Sequence, residues 1–113
     1  MSVRVAIALS IVVAGRALAA EPTLNADQDK GRTLFNESCS FCHNERGHAT
    51  TLLAKRLGPD NAVLEKRTDL SIELIRHVVR HGINSMPWYR RAELSDRDLD
   101  SIAAYLTRTR AAK

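Results

Sequence analysis

At 113 residues, 44% of them apolar, the chain supports one domain and only a modest core. Its two cysteines permit one disulfide at most, so a domain this small calls for a further source of stability such as a metal or a cofactor. The net charge of +4 is spread among interspersed acids and bases, and the five aromatic residues are too few for a stacking platform, which argues against nucleic acid as a partner.

The first twenty residues read as an export signal. Arg4 supplies a short positive head, Val5 to Ala14 is apolar except for Ser10, and Ala17-Leu18-Ala19 has the small-residue pattern of a cleavage site. Cleavage is expected after Ala19 or Ala20, leaving 21–113 as the functional domain. The run from Val5 to Gly15 is eleven residues, short of the roughly 20 that span a bilayer, so no stable membrane insertion is expected after cleavage. Export implies an oxidising compartment, here a bacterial periplasm. Loss of Arg4 and Arg16 leaves fifteen basic against thirteen acidic residues, a net of +2.

The remainder shows helical periodicity and no convincing strand alternation, so the predicted class is all-α. Asn25 followed by Gln28 marks a helix start, and Gly31, Leu34, Phe35 and Ser38 share a face of a helix that leads straight into Cys39.

Cys39-Ser40-Phe41-Cys42-His43 follows. Two thiols at this spacing can each add across one vinyl group of haem, and the adjacent imidazole then becomes an axial ligand of the iron. Three readings compete: a thioredoxin-like redox pair, half of a zinc site, and a plain disulfide. A redox pair needs a strand before its helix, and none is readable. A zinc site needs a second ligand pair, and no further cysteine exists. Haem c attached at Cys39 and Cys42, with His43 on the iron, is the reading that remains. Its two propionates would bring the net charge to about zero.

Asn44 to Leu70 reads as less regular, with a short helical turn around Leu52 to Leu57. A second helix is predicted after Ser71 as cap. It runs to His81, with Ile72, Ile75, Val78 and Val79 on its buried side and Gly82 closing it. His77 and His81 are four apart on that helix, a spacing that suits a metal, although solvated surface histidines are the commoner explanation. His48 is only five residues from His43, too short a tether to reach the opposite haem face.

Met86 is the candidate for the second axial position. It is the only methionine left after processing, in the turn-like segment Gly82-Ile83-Asn84-Ser85-Met86-Pro87, where Pro87 stiffens the loop and Trp88 and Tyr89 can pack along the haem edge. An open position instead would make the chain a haem sensor or a peroxidase-like protein. Ser95 and Asp98 then open a last helix. Leu99, Ile102, Ala103 and Leu106 line its apolar stripe, acids crowd its start, and Arg108, Arg110 and Lys113 crowd its end.

Taken together, Gly31 and Phe35, Cys39 to His43, Met86-Pro87 and Tyr105-Leu106 resemble a class I cytochrome c, and the resemblance covers nearly all of the chain after the signal. It implies a small helical bundle around one covalently attached haem. The first and last helices would cross at Gly31, and the function would be single-electron transfer rather than catalysis. One departure stands out: the family's Gly-Pro after the histidine is replaced by Thr50-Thr51, and Gly58-Pro59 comes later, which leaves open the carbonyl that orients His43. Arg67 to Leu70 and Met86 to Arg91 are similar to the small cytochrome subunits of p-cresol methylhydroxylase and eugenol hydroxylase. That similarity implies an FAD-dependent dehydrogenase subunit as partner, oxidising a para-alkylphenol, and it offers an alternative to a free shuttle. Arg67 is a candidate partner for a haem propionate, and Arg90 and Arg91 for a positive rim.

Overall fold

The computed structural model describes residues 23–111, so the predicted signal over 1–20 lies outside the described residues. Six helices follow in order: α1 (Ala26–Ser38), α2 (Ser40–His43), α3 (His48–Leu57), α4 (Ile72–His81), α5 (Asp96–Leu106) and α6 (Arg108–Ala111). Two single 3-10 turns, Pro59–Asn61 and Leu64–Lys66, lie between α3 and α4. No strand occurs among the described residues, in keeping with the all-α expectation.

α1 starts where the capping pattern places it. The Asn25 side chain accepts from the Gln28 amide at 2.9 Å and the Gln28 side chain accepts from the Asn25 amide at 3.2 Å, so two of the helix's free donors are satisfied. Its buried residues, Gly31 and Phe35, face α5. A Cβ on Gly31 would stand 1.9 Å from the Ser101 carbonyl oxygen, so the two backbones meet where only glycine fits. Phe35 and Tyr105 pack at 6.0 Å between ring centroids, tilted by 53°. Ser101, buried in the same crossing, donates its hydroxyl to Asp27 at 2.5 Å.

Leu99, Ile102, Ala103 and Leu106 of α5 are all buried, as their spacing predicts. The helix ends earlier than the basic residues suggest. Thr107 leaves the helical region (φ −96°, ψ 1°), and Arg108 and Arg110 fall in α6. Arg108 folds back, donating to the Tyr105 carbonyl at 2.7 Å with its guanidinium 4.1 Å from the centre of the Tyr105 ring.

α4 has the predicted bounds. The Ser71 hydroxyl accepts from the Leu74 amide at 3.1 Å, and Gly82 closes the helix at φ 71°. Its buried stripe is shorter than expected. Ile75 and Val79 join the core, Val78 is half-buried, and Ile72 in the first turn is exposed, outside the packed cluster.

The larger difference is α3, a ten-residue helix where the sequence suggests one short turn. Its start carries no side-chain cap: Gly47 occupies that position because a Cβ there would stand 2.1 Å from the Cys42 carbonyl oxygen. Close approach therefore replaces the polar residue that usually announces a helix.

Candidate haem site

The segment Cys39 to His43 is held from both sides. Cys39 ends α1, its amide donating to the Phe35 carbonyl at 2.8 Å, and the single turn of α2 carries Cys42 and His43. Asn44 closes that turn: its amide and its side-chain nitrogen both reach the Ser40 carbonyl at 2.8 Å. Buried Thr50 of α3 then donates its hydroxyl to the Asn44 carbonyl at 2.8 Å.

Both cysteines are free thiols. Cys39 is half-buried against the core and Cys42 is exposed. Burial pushes the Cys39 thiol up to about 11. A nucleophilic redox cysteine needs the opposite shift, so the thioredoxin-like reading loses its chemistry as well as its strand. Burial also lowers the pKa of half-buried His43, which keeps the imidazole neutral, the form that ligates a metal. Its Nδ1 is buried without a hydrogen-bond partner among the described residues.

Met86 sits in a tight turn. Ile83 and Met86 exchange backbone hydrogen bonds at 3.2 and 2.9 Å, and Asn84 between them takes φ 51°, a conformation asparagine tolerates. Gly82 is required here too, since a Cβ would stand 2.7 Å from the Met86 carbonyl oxygen. The Met86 side chain is half-buried and packs against the core cluster.

Two residues that sequence reasoning did not assign this role fix the loop. The Tyr89 amide donates to the Val79 carbonyl at 2.8 Å, and its hydroxyl donates to the Ser38 carbonyl at 3.0 Å, next to Cys39. Arg80 donates to the carbonyls of Tyr89 at 2.9 Å and Leu94 at 2.8 Å and pairs with Asp96 at 2.7 Å. A tyrosine three residues beyond the methionine was visible in the sequence. Its bond across 51 positions was not.

The structure thus brings the Met86 loop to the Cys39 end of the attachment segment. It leaves His48, His77 and His81 exposed. Arg67 is committed to Asp69 through two bonds at 2.8 and 2.7 Å, and Arg90 and Arg91 pair with Glu93 and Asp96.

The residues present fit a haem. Beside the free thiols and the neutral imidazole, the large exposed apolar side chains are distributed unevenly. Phe41 belongs to α2, Leu52 and Leu57 to α3, Ile72 and Leu74 to α4, and Ile83 and Trp88 to the Met86 loop, while none belongs to α1 or α5. Apolar surface left uncovered on α2, α3, α4 and the Met86 loop, and not on α1 or α5, is what a flat apolar macrocycle would be able to cover.

Such a helical fold built on a C-x-x-C-H turn defines the class of c-type cytochromes. The family described as "Cytochrome C oxidase, cbb3-type, subunit III" matches residues 26–106, and the chain belongs to this class I c-type cytochrome family. Similar proteins include cytochrome c6 of Gracilaria tenuistipitata var. liui, 36% identical over 74% of each chain. Cytochrome c6 of Cyanidioschyzon merolae is 35% identical over 72% of this chain and 73% of its own, and that of Pyropia tenera 33% identical over 72% and 91%. No solved structure matches the chain. The protein is therefore an electron carrier with one covalently bound haem c, not an enzyme. Among the described residues no helix is long and apolar enough to cross a membrane.

Proposed function

We propose that the chain is an exported, periplasmic mono-haem electron carrier in which Cys39 and Cys42 hold the haem by thioether bonds and His43 and Met86 are the two axial ligands. The carrying observation is the junction of α1 with the one-turn helix α2, which sets free Cys39 at the end of α1 and free Cys42 and a neutral, half-buried His43 imidazole on the turn that follows. Haem supplies a reversible one-electron couple at its iron.

The chain's own residues account for the rest. Cys39 sits on the end of α1 and Cys42 on an exposed turn, so the two attachment points bridge core and surface. His43 presents a lone pair without a proton to displace at neutral pH, since burial lowers its pKa. Met86 offers a thioether from a turn stiffened by Pro87 and tied down through Tyr89 and Arg80. One sulfur and one nitrogen ligand, from Met86 and His43, would favour the reduced state of the iron relative to two nitrogens. Because both ligands come from hydrogen-bonded turns, little has to move when the charge changes, which suits electron transfer.

The test is the visible spectrum of the secreted protein. Six-coordinate low-spin iron with the weak far-red methionine-to-iron band is expected. Met86→Ala should lose that band and lower the potential, whereas persistence of both would remove Met86 from the ligand set. Mass spectrometry should show one added haem and an amino terminus at Ala20 or Glu21. Donor identity is a separate matter: a flavoprotein that co-purifies with the chain and reduces it when given an alkylphenol would make it a flavocytochrome subunit, and reduction only by diffusing partners would make it a free shuttle.

A further inference from the structure

His77 and His81 have no part in the arrangement above, yet they carry ligand chemistry at ligand spacing. They stand four apart on α4, both exposed, with ring centroids 4.4 Å apart and planes 25° from parallel. Nδ1 of His81 lies 2.8 Å from the His77 carbonyl oxygen. A carbonyl only accepts, so the His81 proton resides on Nδ1 and the lone pair of Nε2 is left for a ligand. Fixing one ring nitrogen by a backbone carbonyl is how metal-binding histidines are commonly oriented.

We propose that His77 and His81 form a two-imidazole site on α4 for a divalent transition-metal ion, with Cu2+ preferred over Ni2+ and Zn2+. Two bonds of about 2.0 Å place their nitrogens roughly 3 to 4 Å apart, a separation that stacked rings at this distance reach by small side-chain rotations. Water completes the coordination, since no cluster of three or more ligand side chains occurs among the described residues. A tetragonal ion that accepts two nitrogens and water is the one this donor set selects, and imidazole affinity peaks at copper.

The surrounding charge permits a cation. His81 is the last residue of α4, where the helix dipole is negative, and Glu73 lies one turn before His77 on the same stripe. The guanidiniums nearby are already paired: Arg76 with Asp100, Arg80 and Arg91 with Asp96.

Haem-loaded protein titrated with Cu2+ near neutral pH tests the site. One equivalent should bind with a tetragonal electron paramagnetic resonance signal split by two nitrogens. His77→Ala and His81→Ala should each weaken binding by about tenfold or more, because the second imidazole acts at high effective concentration. The double variant should lose the signal, and His48→Ala should bind like the parent. All three side chains exchanged are exposed, and the haem spectrum reports whether each variant is folded. Failure of the parent to bind, or a double variant that binds as well as the parent, would overturn the assignment.

Discussion

The crossing of α1 and α5 and the outer faces of α2, α3, α4 and the Met86 loop are built on different terms. At the crossing, Phe35, Leu99, Ile102 and Ala103 are at most 2% exposed, and a glycine lets the backbones touch. On those outer faces Trp88 is 65% exposed, Phe41 is 90% exposed, and α4 turns Leu74 outward. Polypeptide alone completes the first region. The second keeps large apolar side chains that no polypeptide among the described residues covers, surface that a bound haem would be able to take.

That difference can be broken at its tight end first. Gly31→Ala puts a Cβ into the Ser101 carbonyl with no side chain to yield, and should cost about 3 kcal/mol or more in chemical unfolding of the haem-loaded protein. A loss below about 1 kcal/mol would mean the helices separate easily. Leu74→Gln probes the open side. In the haem-loaded protein it should cost about 1 to 2 kcal/mol, although the side chain is exposed in the polypeptide fold; an ordinary surface exchange stays within about 0.5 kcal/mol, and a value in that range would place Leu74 outside the cofactor contact.

Tyr89→Phe removes the bond that ties the Met86 loop to the end of α1. A loss of about 1 kcal/mol is expected, together with easier displacement of the methionine, read as disappearance of the far-red band at lower denaturant concentration. An unchanged band midpoint would detach Tyr89 from loop positioning. The smallest effect concerns acid. Hydrogen bonds from Arg67, from Arg91 and Arg80, and from Lys30 and Ser95 hold Asp69, Asp96 and Asp98 respectively below the usual carboxylate range. A pKa lower in the folded than in the unfolded state stabilises above the unfolded value, and that contribution fades as pH falls through the folded one. Unfolding free energy should therefore decline modestly below about pH 4, and salt should blunt the decline because these pairs are exposed. A flat profile would show that the pairs contribute nothing.

Legibility in the sequence follows the same division. α1, α4 and α5 declare themselves through Asn25, Ser71 and Ser95 and through stripes that meet polypeptide. The stripe on α4 overruns at Ile72 because periodicity records apolar faces without saying what covers them. α3 was hidden because Gly47 starts it for a steric reason, invisible until the Cys42 carbonyl is in place. The motif residues were legible as chemistry. The devices that hold them, Tyr89 on Ser38 and Arg80 on two carbonyls, join positions that no local pattern connects.

Cys39 is the terminal cap of the same helix that carries Gly31. Eight residues at 1.5 Å each make a lever of about 12 Å from the pivot to the sulfur. Any change in how the two long helices cross would be delivered, magnified, at the cysteine proposed to hold the haem. With Cys39 as an attachment point, the seating of the electron-carrying group would answer at a distance to the absence of one methyl group.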